Sequence, residues 1–376
     1  MKGKTDSGNT STSRAAGPLR NLRGQIDKLD LQILKLVNER AALAAEIGKV
    51  KNDHGGEVFS PAREEEVLHN VLEANEKHKG PLDGGSVRAI FREIMSASRS
   101  LQKVQRVAYL GPEYSFSHLA ALDRFGSSVE FLRVASIAAV FEEVNRGHAD
   151  FGVVPLDNST DGRVADTLDM FIRLPQLRIT AEVRLRIHHN LLANCSQPEI
   201  RRVYSKPQAL GQCRTWLAKN VPYASPIEVT STAAAAELAQ REPGAAAVAS
   251  RQAAARYGLR ILFENIEDSP TNETRFAVIG HQKSSKTGHD KTAVMFRVPH
   301  HPGALVNALD VFRGSKMNLT WIESFPARDP QPGYVFFIDF EGHGEDAKVA
   351  RTLKALAEHC EEITVLGSFP IATVSG

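Results

Sequence analysis

A threonine and an arginine stand side by side where an apolar, strand-like run begins in the last third of the chain. The segment Asn272–Phe276 contains Thr274 followed by Arg275, and an acidic loop with a proline precedes it. A hydroxyl beside a fixed cation can bind an anionic substrate and give it a proton. Taken alone, the pair is also typical of a capped strand end with a solvated charge, so the rest of the chain must decide between the two interpretations.

Composition limits the class of protein. The length of 376 residues predicts about two to three domains. The net charge of +2 gives no electrostatic basis for a nucleic-acid partner, and no apolar run approaches the roughly 18–20 residues that a membrane span needs. Residues 1–18, rich in Ser, Thr, Gly and Lys, predict a disordered tail. The three cysteines are far apart, which favours reduced thiols in a cytoplasmic protein over disulfides or a metal site; they are Cys195, Cys213 and Cys360.

Residues 19–103 predict an all-helical domain. Apolar residues recur at helical spacing from Leu22 to Val50, and a helix of about 30 residues is about 45 Å long. A helix of that length cannot bury its apolar stripe alone, so we expect a partner, and a second copy of the chain would serve. Two shorter helices are predicted to follow, one from Ser60-Pro61 and one over Asp83–Gln102.

Polar residues within this helical pattern could form an anion-binding pocket. Arg40 and Lys51 lie three turns apart on nearly the same face, whereas Arg23 points about 100° away from Arg40. If all three cations serve one site, Arg23 belongs to the pocket of a partner subunit. Ser98 and Gln102 share a face of the last helix. Taken singly, each of these residues also fits the polar surface of a helical bundle.

Together, these residues resemble the all-helical chorismate mutase family in order and spacing, over the whole domain. The resemblance implies an intertwined homodimer that binds the dianion chorismate. The rearrangement is pericyclic, so the enzyme holds two carboxylates and stabilises charge on the breaking ether oxygen. The implied roles are carboxylate binding by Arg23 and Arg40, contact with the ether oxygen by Lys51 and Gln102, and orientation of the ring hydroxyl and a carboxylate by Glu64 and Ser98. Ser60 stands where the family often has aspartate, which implies a weaker, uncharged contact.

Residues 105–283 alternate strand-like and helical runs, which predicts α/β layers. Four loops that follow strands carry small hydroxyl and amide side chains, and strand ends and helix N-termini are where such sheets bind anions. Each loop is also typical of a helix N-cap. No dinucleotide or Walker fingerprint is present, so no cofactor is expected. The loop residues are Ser115, Asn158, Ser159, Thr160, Gln208, Ser231 and Thr232.

These loops and the Thr274 segment resemble prephenate dehydratase. The matching motifs are Gly111–Ala121, Val154–Gly162, Tyr204–Cys213, Ser231–Ala233 and Asn272–Phe276. The resemblance implies two α/β lobes, like those of a periplasmic binding protein, with the site between them. Prephenate would lose carbon dioxide and hydroxide, and Thr274 would give the leaving hydroxide its proton. The loop residues above, together with Arg275 and Phe276, would bind prephenate.

Several positions depart from the dehydratase pattern. Tyr114 replaces a residue that is usually glycine or another small one, so we expect a reshaped loop. Asp157 and Asp161 stand where glutamates are common, and Lys206 replaces a histidine. None of these changes removes the threonine, so they bear on rate and affinity more than on the type of reaction.

The pattern of residues 291–372 predicts the element order β-α-β-β-α-β, which is that of a ferredoxin-like α+β unit. Gly303, Ala304 and Leu305 at the start of its first helix leave backbone N–H groups free for a small carboxylate. The unit resembles the ACT domain of these enzymes, which implies L-phenylalanine as an effector. Glu323 and Ser324 match a family motif, but Phe325 stands where that motif has arginine, so we expect altered sensitivity.

The sequence as a whole resembles the bifunctional chorismate mutase–prephenate dehydratase family of phenylalanine biosynthesis. Two alternatives remain at this point. One is a non-aromatising prephenate decarboxylase on the same fold, which Tyr114 favours and the retained Thr274–Phe276 segment opposes. The other is a non-catalytic amino-acid sensor, which the retained pocket residues in both domains oppose.

Overall fold

The computed structural model describes residues 11–54, 59–327 and 333–375, with the side chains of 11–17 and 52–54 excepted. The chain forms two compact units. The first consists of Met1–Val58 and Ala97–Lys103, and the second of Phe59–Ser96 and Val104–Gly376. Among the helices in the described part of the chain, none is long and apolar enough to cross a membrane.

The first unit is built on α1 (Ser11–His54). This helix starts earlier than the expected domain boundary at residue 19, and the rest of the predicted tail, residues 1–10, lies outside the described residues. The apolar stripe of α1 stays exposed, with Leu22 at 55%, Leu36 at 63% and Leu43 at 62%. The unit ends with the last residues of α3 (Gly84–Ser100), whose earlier part belongs to the second unit.

The second unit opens with α2 (Pro61–His78), which Ser60 precedes as N-cap residue. Its first sheet has seven strands in the order β16-β5-β11-β3-β1-β2, with β4 paired to β3. The strands are β1 (Arg106–Leu110), β2 (Glu130–Val134), β3 (Phe151–Asn158), β4 (Gly162–Arg163), β5 (Arg178–Arg186), β11 (Glu273–Gly280) and β16 (Val374–Ser375). Because β11 pairs antiparallel with both β3 and β5, a late segment of the chain lies inside an early sheet.

Alternation of apolar side chains along these strands builds a core on each face of the first sheet. On one face Phe276 and Val278 pack with Tyr109 and with α4 (Phe116–Phe125). On the other face Ala277 packs with α5 (Ile137–Asn145), with α6 (Ala165–Arg173) and with apolar side chains from residues 293–369.

The second sheet has five strands in the order β10-β6-β9-β7-β8. They are β6 (Asn190–Ala193), β7 (Arg202–Ser205), β8 (Ser225–Glu228), β9 (Ala245–Ala249) and β10 (Arg260–Phe263). The helices here are α7 (Pro207–Gln212), α8 (Arg214–Asn220), α9 (Thr232–Arg241) and α10 (Arg251–Tyr257). The sequence pattern of residues 207–220 predicts a single helix, and that prediction is wrong. The backbone leaves helical geometry at Cys213, and the Asp268 carboxylate accepts from the N–H groups of Thr215 and Trp216 to cap a new helix.

The C-terminal sheet has four strands in the order β13-β14-β12-β15. They are β12 (Asp290–Arg297), β13 (Leu319–Pro326), β14 (Tyr334–Glu341) and β15 (Glu362–Pro370), with α11 (Ala304–Gly314) and α12 (Ala347–Ala357) between them. This is the β-α-β-β-α-β order expected from the sequence. At Gly367 the backbone comes so close to β5 that a Cβ there would lie 2.1 Å from the Ile179 carbonyl oxygen. Only glycine allows that approach.

Candidate functional site

Thr274 faces an asparagine from the neighbouring strand. In the β11–β3 register Thr274 lies opposite Asn158, and Asn158 Nδ2 donates to Thr274 Oγ1 at 2.8 Å. The same amide nitrogen donates to Asn272 Oδ1 at 3.0 Å, and the Asn272 side chain is buried, with 1% exposed. Side-chain hydrogen bonds therefore join the threonine segment to the Asn158 loop.

The orientation of the Asn158 amide is fixed by its own loop. Its Oδ1 accepts from the backbone N–H groups of Thr160 at 2.9 Å and Asp161 at 3.0 Å. These N–H groups can only donate, so the amide nitrogen must face Thr274. Thr274 Oγ1 then accepts from Asn158 and keeps its own proton for another partner. The geometry leaves the hydroxyl able to act as a donor toward a bound molecule.

Two further residues, Gln212 and His189, belong to this cluster and were not among the expected site residues. Gln212 Oε1 lies 2.9 Å from Asn272 Nδ2 and 2.8 Å from His189 Nε2, and Gln212 Nε2 donates to Asp161 Oδ2 at 2.8 Å. Burial lowers the pKa of the His189 imidazole, so the ring is neutral and its Nε2 is the donor. Gln212 lies in the Tyr204–Cys213 motif, whereas His189 lies in none of the matching motifs.

Of the other expected prephenate residues, one lies beside the Thr274 cluster, two cap helices and two lie on helices. Ser159 lies next to the cluster, where its Oγ donates to the Thr271 carbonyl and accepts from the Glu273 N–H. Ser115 caps α4 and Ser231 caps α9, accepting from the N–H groups of His118 and Ala234. This is the helix-capping role that was weighed against a binding role. Two more residues lie on helices, Gln208 exposed on α7 and Thr232 buried at the start of α9.

Arg275 and Phe276 both make structural contacts. Successive side chains of a strand point to opposite faces, so Arg275 projects away from Thr274. Its guanidinium bonds Asp157, with Nη2 2.8 Å from Oδ2, and it lies over the Trp321 ring. Phe276 is fully buried in the core beside α4. The assignment of these two residues as prephenate ligands stays a prediction.

The Tyr114 loop holds a bulky residue in a backbone conformation that favours glycine. Tyr114 has φ of 62°, in the left-handed region that favours glycine. Its N–H donates to His118 Nδ1 at 3.0 Å, and the His118 ring stacks on Tyr109. Burial lowers the pKa of His118, which keeps Nδ1 able to accept. The loop is held in place by this bond despite the bulky residue.

Several predicted mutase residues meet within the first unit. Arg40 Nη1 donates to Ser98 Oγ at 2.7 Å, which joins the middle of α1 to the end of α3. A Cβ on Gly48 would lie 2.6 Å from Gln102 Cγ, so Gln102 packs on the stretch of α1 between Arg40 and Lys51. Gln102 Oε1 is buried and has no hydrogen-bond partner among the residues described. Arg40, Ser98 and Gln102 thus lie along the contact between α1 and the end of α3.

The other expected mutase residues lie on α1 and at the start of α2. Arg23 is exposed on α1. In the second unit, Glu64 on α2 has its Oε2 3.8 Å from Arg124 Nη2, and the Ser60 carbonyl accepts from the Glu64 N–H at 3.1 Å.

The expected regulatory residues lie on the C-terminal sheet and its first helix. Gly303 precedes α11 with φ of 85°, Ala304 is buried and Leu305 partly buried. Glu323 on β13 pairs with Arg163 of β4 at 3.0 Å, and Ser324 follows it. Phe325 packs into the core. Across residues 11–54, 59–327 and 333–375, no group of three or more His, Cys, Asp or Glu could hold a metal ion.

Two protein families match successive parts of the chain. The prephenate dehydratase family model matches residues 107–284, and the chorismate mutase type II model matches residues 22–103. The chain is 45% identical to the bifunctional chorismate mutase/prephenate dehydratase of Aquifex aeolicus, over 94% of this chain and 98% of that protein.

Solved structures resemble the dehydratase and C-terminal parts. A prephenate dehydratase from Arthrobacter aurescens in complex with L-Phe is 33% identical with a TM-score of 0.67, covering 71% of this chain and 90% of that one. A protein described as GqqA, a novel type of quorum quenching acylase, is 29% identical with a TM-score of 0.64, covering 71% and 98%. The chain belongs to the bifunctional chorismate mutase/prephenate dehydratase family, whose members rearrange chorismate to prephenate and convert prephenate to phenylpyruvate.

Proposed function

We propose that Thr274 is the proton donor of the dehydratase reaction and that Asn158 sets its orientation. The observation that carries this proposal is the bond from Asn158 Nδ2 to Thr274 Oγ1, which leaves the hydroxyl proton free to face the substrate. As the ring carboxylate leaves as carbon dioxide, its bonding electrons enter the ring and hydroxide departs. Thr274 gives that hydroxide a proton, forming water, and regains one from solvent.

The test compares Thr274→Val with Thr274→Ser. Valine keeps the shape and removes the hydroxyl, whereas serine keeps the hydroxyl. We expect Thr274→Val to lower dehydratase kcat by about 10²–10⁴-fold, the usual contribution of positioned proton transfer, and Thr274→Ser to retain most activity. Mutase activity of the same samples is an internal control. Full dehydratase activity in Thr274→Val would refute the role.

For the mutase reaction we propose a site in the first unit in which Arg40 and Ser98 bind carboxylate and Gln102 and Lys51 contact the ether oxygen. Arg23 of a second subunit completes it. The roles of Glu64 and Ser60 stay predictions from the family resemblance. The exposed apolar stripe of α1 supports a homodimer, because a stripe of this length is stable only when covered. The contact from Arg40 to Ser98 supports a shared carboxylate site.

Subunit exchange tests the shared site. Arg23→Ala and Arg40→Ala chains are each expected to lack mutase activity. In a mixed dimer, one pocket combines intact Arg40 from one chain with intact Arg23 from the other, so activity should return on mixing. Sedimentation of each variant checks that dimers form. No recovery in confirmed mixed dimers would contradict the arrangement.

We further propose that the C-terminal sheet belongs to a ferredoxin-like ACT domain that binds L-phenylalanine at Gly303–Leu305, with Glu323 and Ser324 nearby. We also propose that the enzyme is cytoplasmic and that its thiols stay reduced. The relative crystallised with L-Phe supports the effector. At Gly303 an added Cβ meets nothing, but φ of 85° strains any other residue. Gly303→Ala should weaken L-Phe binding in calorimetry and leave uninhibited activity unchanged. Gly314→Ala, in open space at the end of the same helix, is the matched control and should bind normally. Equal affinity in both variants would refute this location.

A further inference from the structure

A buried cluster of charged side chains lies directly behind the dehydratase site. Arg275 bonds Asp157 through Nε at 3.1 Å and Nη2 at 2.8 Å. Its Nη1 lies 3.4 Å from Glu182 Oε2 and also bonds Asp339. Lys291 bonds Glu182 and has its Nζ 3.6 Å from Asp339 Oδ2. Arg275, Glu182, Lys291 and Asp339 are all buried.

The cluster joins two sheets. Asp157, Glu182 and Arg275 come from adjacent strands of the first sheet, β3, β5 and β11. Asp339 and Lys291 come from β14 and β12 of the C-terminal sheet. The Trp321 ring of β13 also covers Arg275, with Cζ 4.5 Å from the ring centroid. The side chain that follows Thr274 in the chain is therefore held partly by residues that no dehydratase motif includes.

Two residues of the cluster are direct neighbours in the chain of the two site residues Thr274 and Asn158. Arg275 is bonded to Thr274 and Asp157 to Asn158, and the two pairs face each other in the β11–β3 register. The register of β11 on β3 shifts immediately after Arg275, and pairing resumes at Phe276 opposite Pro155. At this irregularity the ion pairs of Arg275 with the carboxylates around it add a restraint on the strand that carries Thr274.

A second contact reaches the other side of the Asn158 loop. Arg163 of β4 pairs with Glu323 of β13 at 3.0 Å, and the neighbouring residue Gly162 lies opposite Asn158. The C-terminal sheet thus holds the loop that follows Asn158 as well as the strand that carries Thr274.

We propose that Asp339 is a positioning residue for the dehydratase reaction, acting through Arg275 to fix the hydrogen bond between Asn158 and Thr274. The inference rests on the proposed role of Thr274. Burial by itself lowers the pKa of Arg275, but Asp339, Glu182 and Asp157 together raise it above its ordinary value. The guanidinium therefore stays charged and its direction follows the carboxylates around it.

Charge balance makes Asp339 the informative residue to change. The cluster has two cations, Arg275 and Lys291, and three carboxylates. Asp339→Asn leaves two carboxylates for the two cations, so neither cation is left unpaired in the interior, which would be strongly destabilising. Loss of the Asp339 contact allows Arg275 to turn toward Asp157 and Glu182.

The experiment measures both activities and thermal stability in the full-length Asp339→Asn enzyme. A misplacement of about 1 Å at a catalytic group can cost about 100-fold, so we expect dehydratase kcat to fall roughly 10- to 100-fold, with KM, mutase kcat and the thermal midpoint little changed. Asp310→Asn is the matched control, since Asp310 is exposed on α11 and pairs only locally, with Arg313. A purely structural role would instead lower the midpoint and both activities. Unchanged dehydratase kcat in Asp339→Asn would overturn the proposal.

A double-mutant cycle tests whether Asp339 acts through Arg275. In an Arg275→Lys background, Asp339→Asn should have much less effect than in the wild type, because coupled residues are non-additive. Additive effects would overturn the proposal. If Asp339→Asn does not fold, Trp321→Leu removes the cover of Arg275 from the same sheet and should lower dehydratase kcat in the same way. Unchanged kcat there would also refute it. An inactive Thr274→Val enzyme alongside a fully active Asp339→Asn enzyme would reject this inference and leave the function of Thr274 intact.

Discussion

Replacing Gly48 by alanine should separate stability from mutase activity. A Cβ at this position would lie 2.6 Å from Gln102 Cγ and 3.0 Å from its Cβ, whereas ordinary carbon contacts are about 3.5–4.0 Å. The Gln102 side chain must therefore move by about 1 Å. A shift of that size at a catalytic group costs on the order of 100-fold in rate, and we expect mutase kcat to fall by that amount.

The same substitution should not weaken the helix. Alanine in a helix interior is favoured over glycine by about 1 kcal/mol, which offsets the cost of moving a long side chain. Gly24→Ala is the matched control, because it lies on α1 with nothing within 4 Å of an added Cβ. It should be stabilised by about 1 kcal/mol with unchanged mutase activity.

The assay follows chorismate consumption and, separately, prephenate conversion by the same preparation. We expect the mutase loss to appear only in Gly48→Ala and the dehydratase rate to stay constant in both variants. Wild-type mutase activity in Gly48→Ala would show that the position of Gln102 does not limit the reaction. Equal loss in both glycine variants would place the effect in α1 as a whole.

Three further changes test the energetics of the second unit. Phe59→Ala, at a fully buried ring packed on Phe125, should cost about 3–5 kcal/mol in urea unfolding, whereas Tyr223→Ala, which is exposed, should change little; a small loss at Phe59 would contradict its place in the core. Burial lowers the pKa of His189, so as pH falls below about 6.5 the unfolded chain takes up a proton before the folded chain does, and stability declines. His189→Gln should flatten that decline. An unaltered pH profile of stability in this variant would contradict the role of His189. Lys316 is exposed with φ of 51°, so Lys316→Gly should raise the free energy of unfolding by about 1 kcal/mol, and a decrease would show that the left-handed turn carries no strain.

Local patterns in the sequence predicted much of the fold. Short apolar runs between turns predict strands over Asn190–Ala193 and Ala245–Ala249, and the structure has strands with these bounds. The helix break at Cys213 was missed because its cause, the Asp268 cap, lies far away in the chain. The short strands β4 and β16 were missed for a similar reason, since a pair of residues has no periodicity of its own.

The candidate site was predicted in part, and the errors have physical causes. Thr274 and Asn158 were both expected, but only the register of β11 on β3 shows that they face each other. Alternation along a strand could have warned that Arg275 points away from Thr274. The contacts of Gln212 with Asp161 and Asn272 join the end of α7 to two loops that flank strands of the first sheet, and no spacing within the sequence encodes such contacts.

The position of β11 between β3 and β5 also determines when this site can form during synthesis. Thr274 follows Asn158 by 116 residues, and a ribosome adding roughly 5–20 residues per second needs about 6–23 s to make them. Until then β3 and β5 lack their shared neighbour, while every strand of the second sheet has already been made. A nascent chain therefore waits with an open edge on β3 and with β5 unpaired on both sides, because β16 is made later still. Open strand edges are prone to pair with other chains. A ribosome that stalls between residues 263 and 273 would release a protein with a finished second sheet and no Thr274.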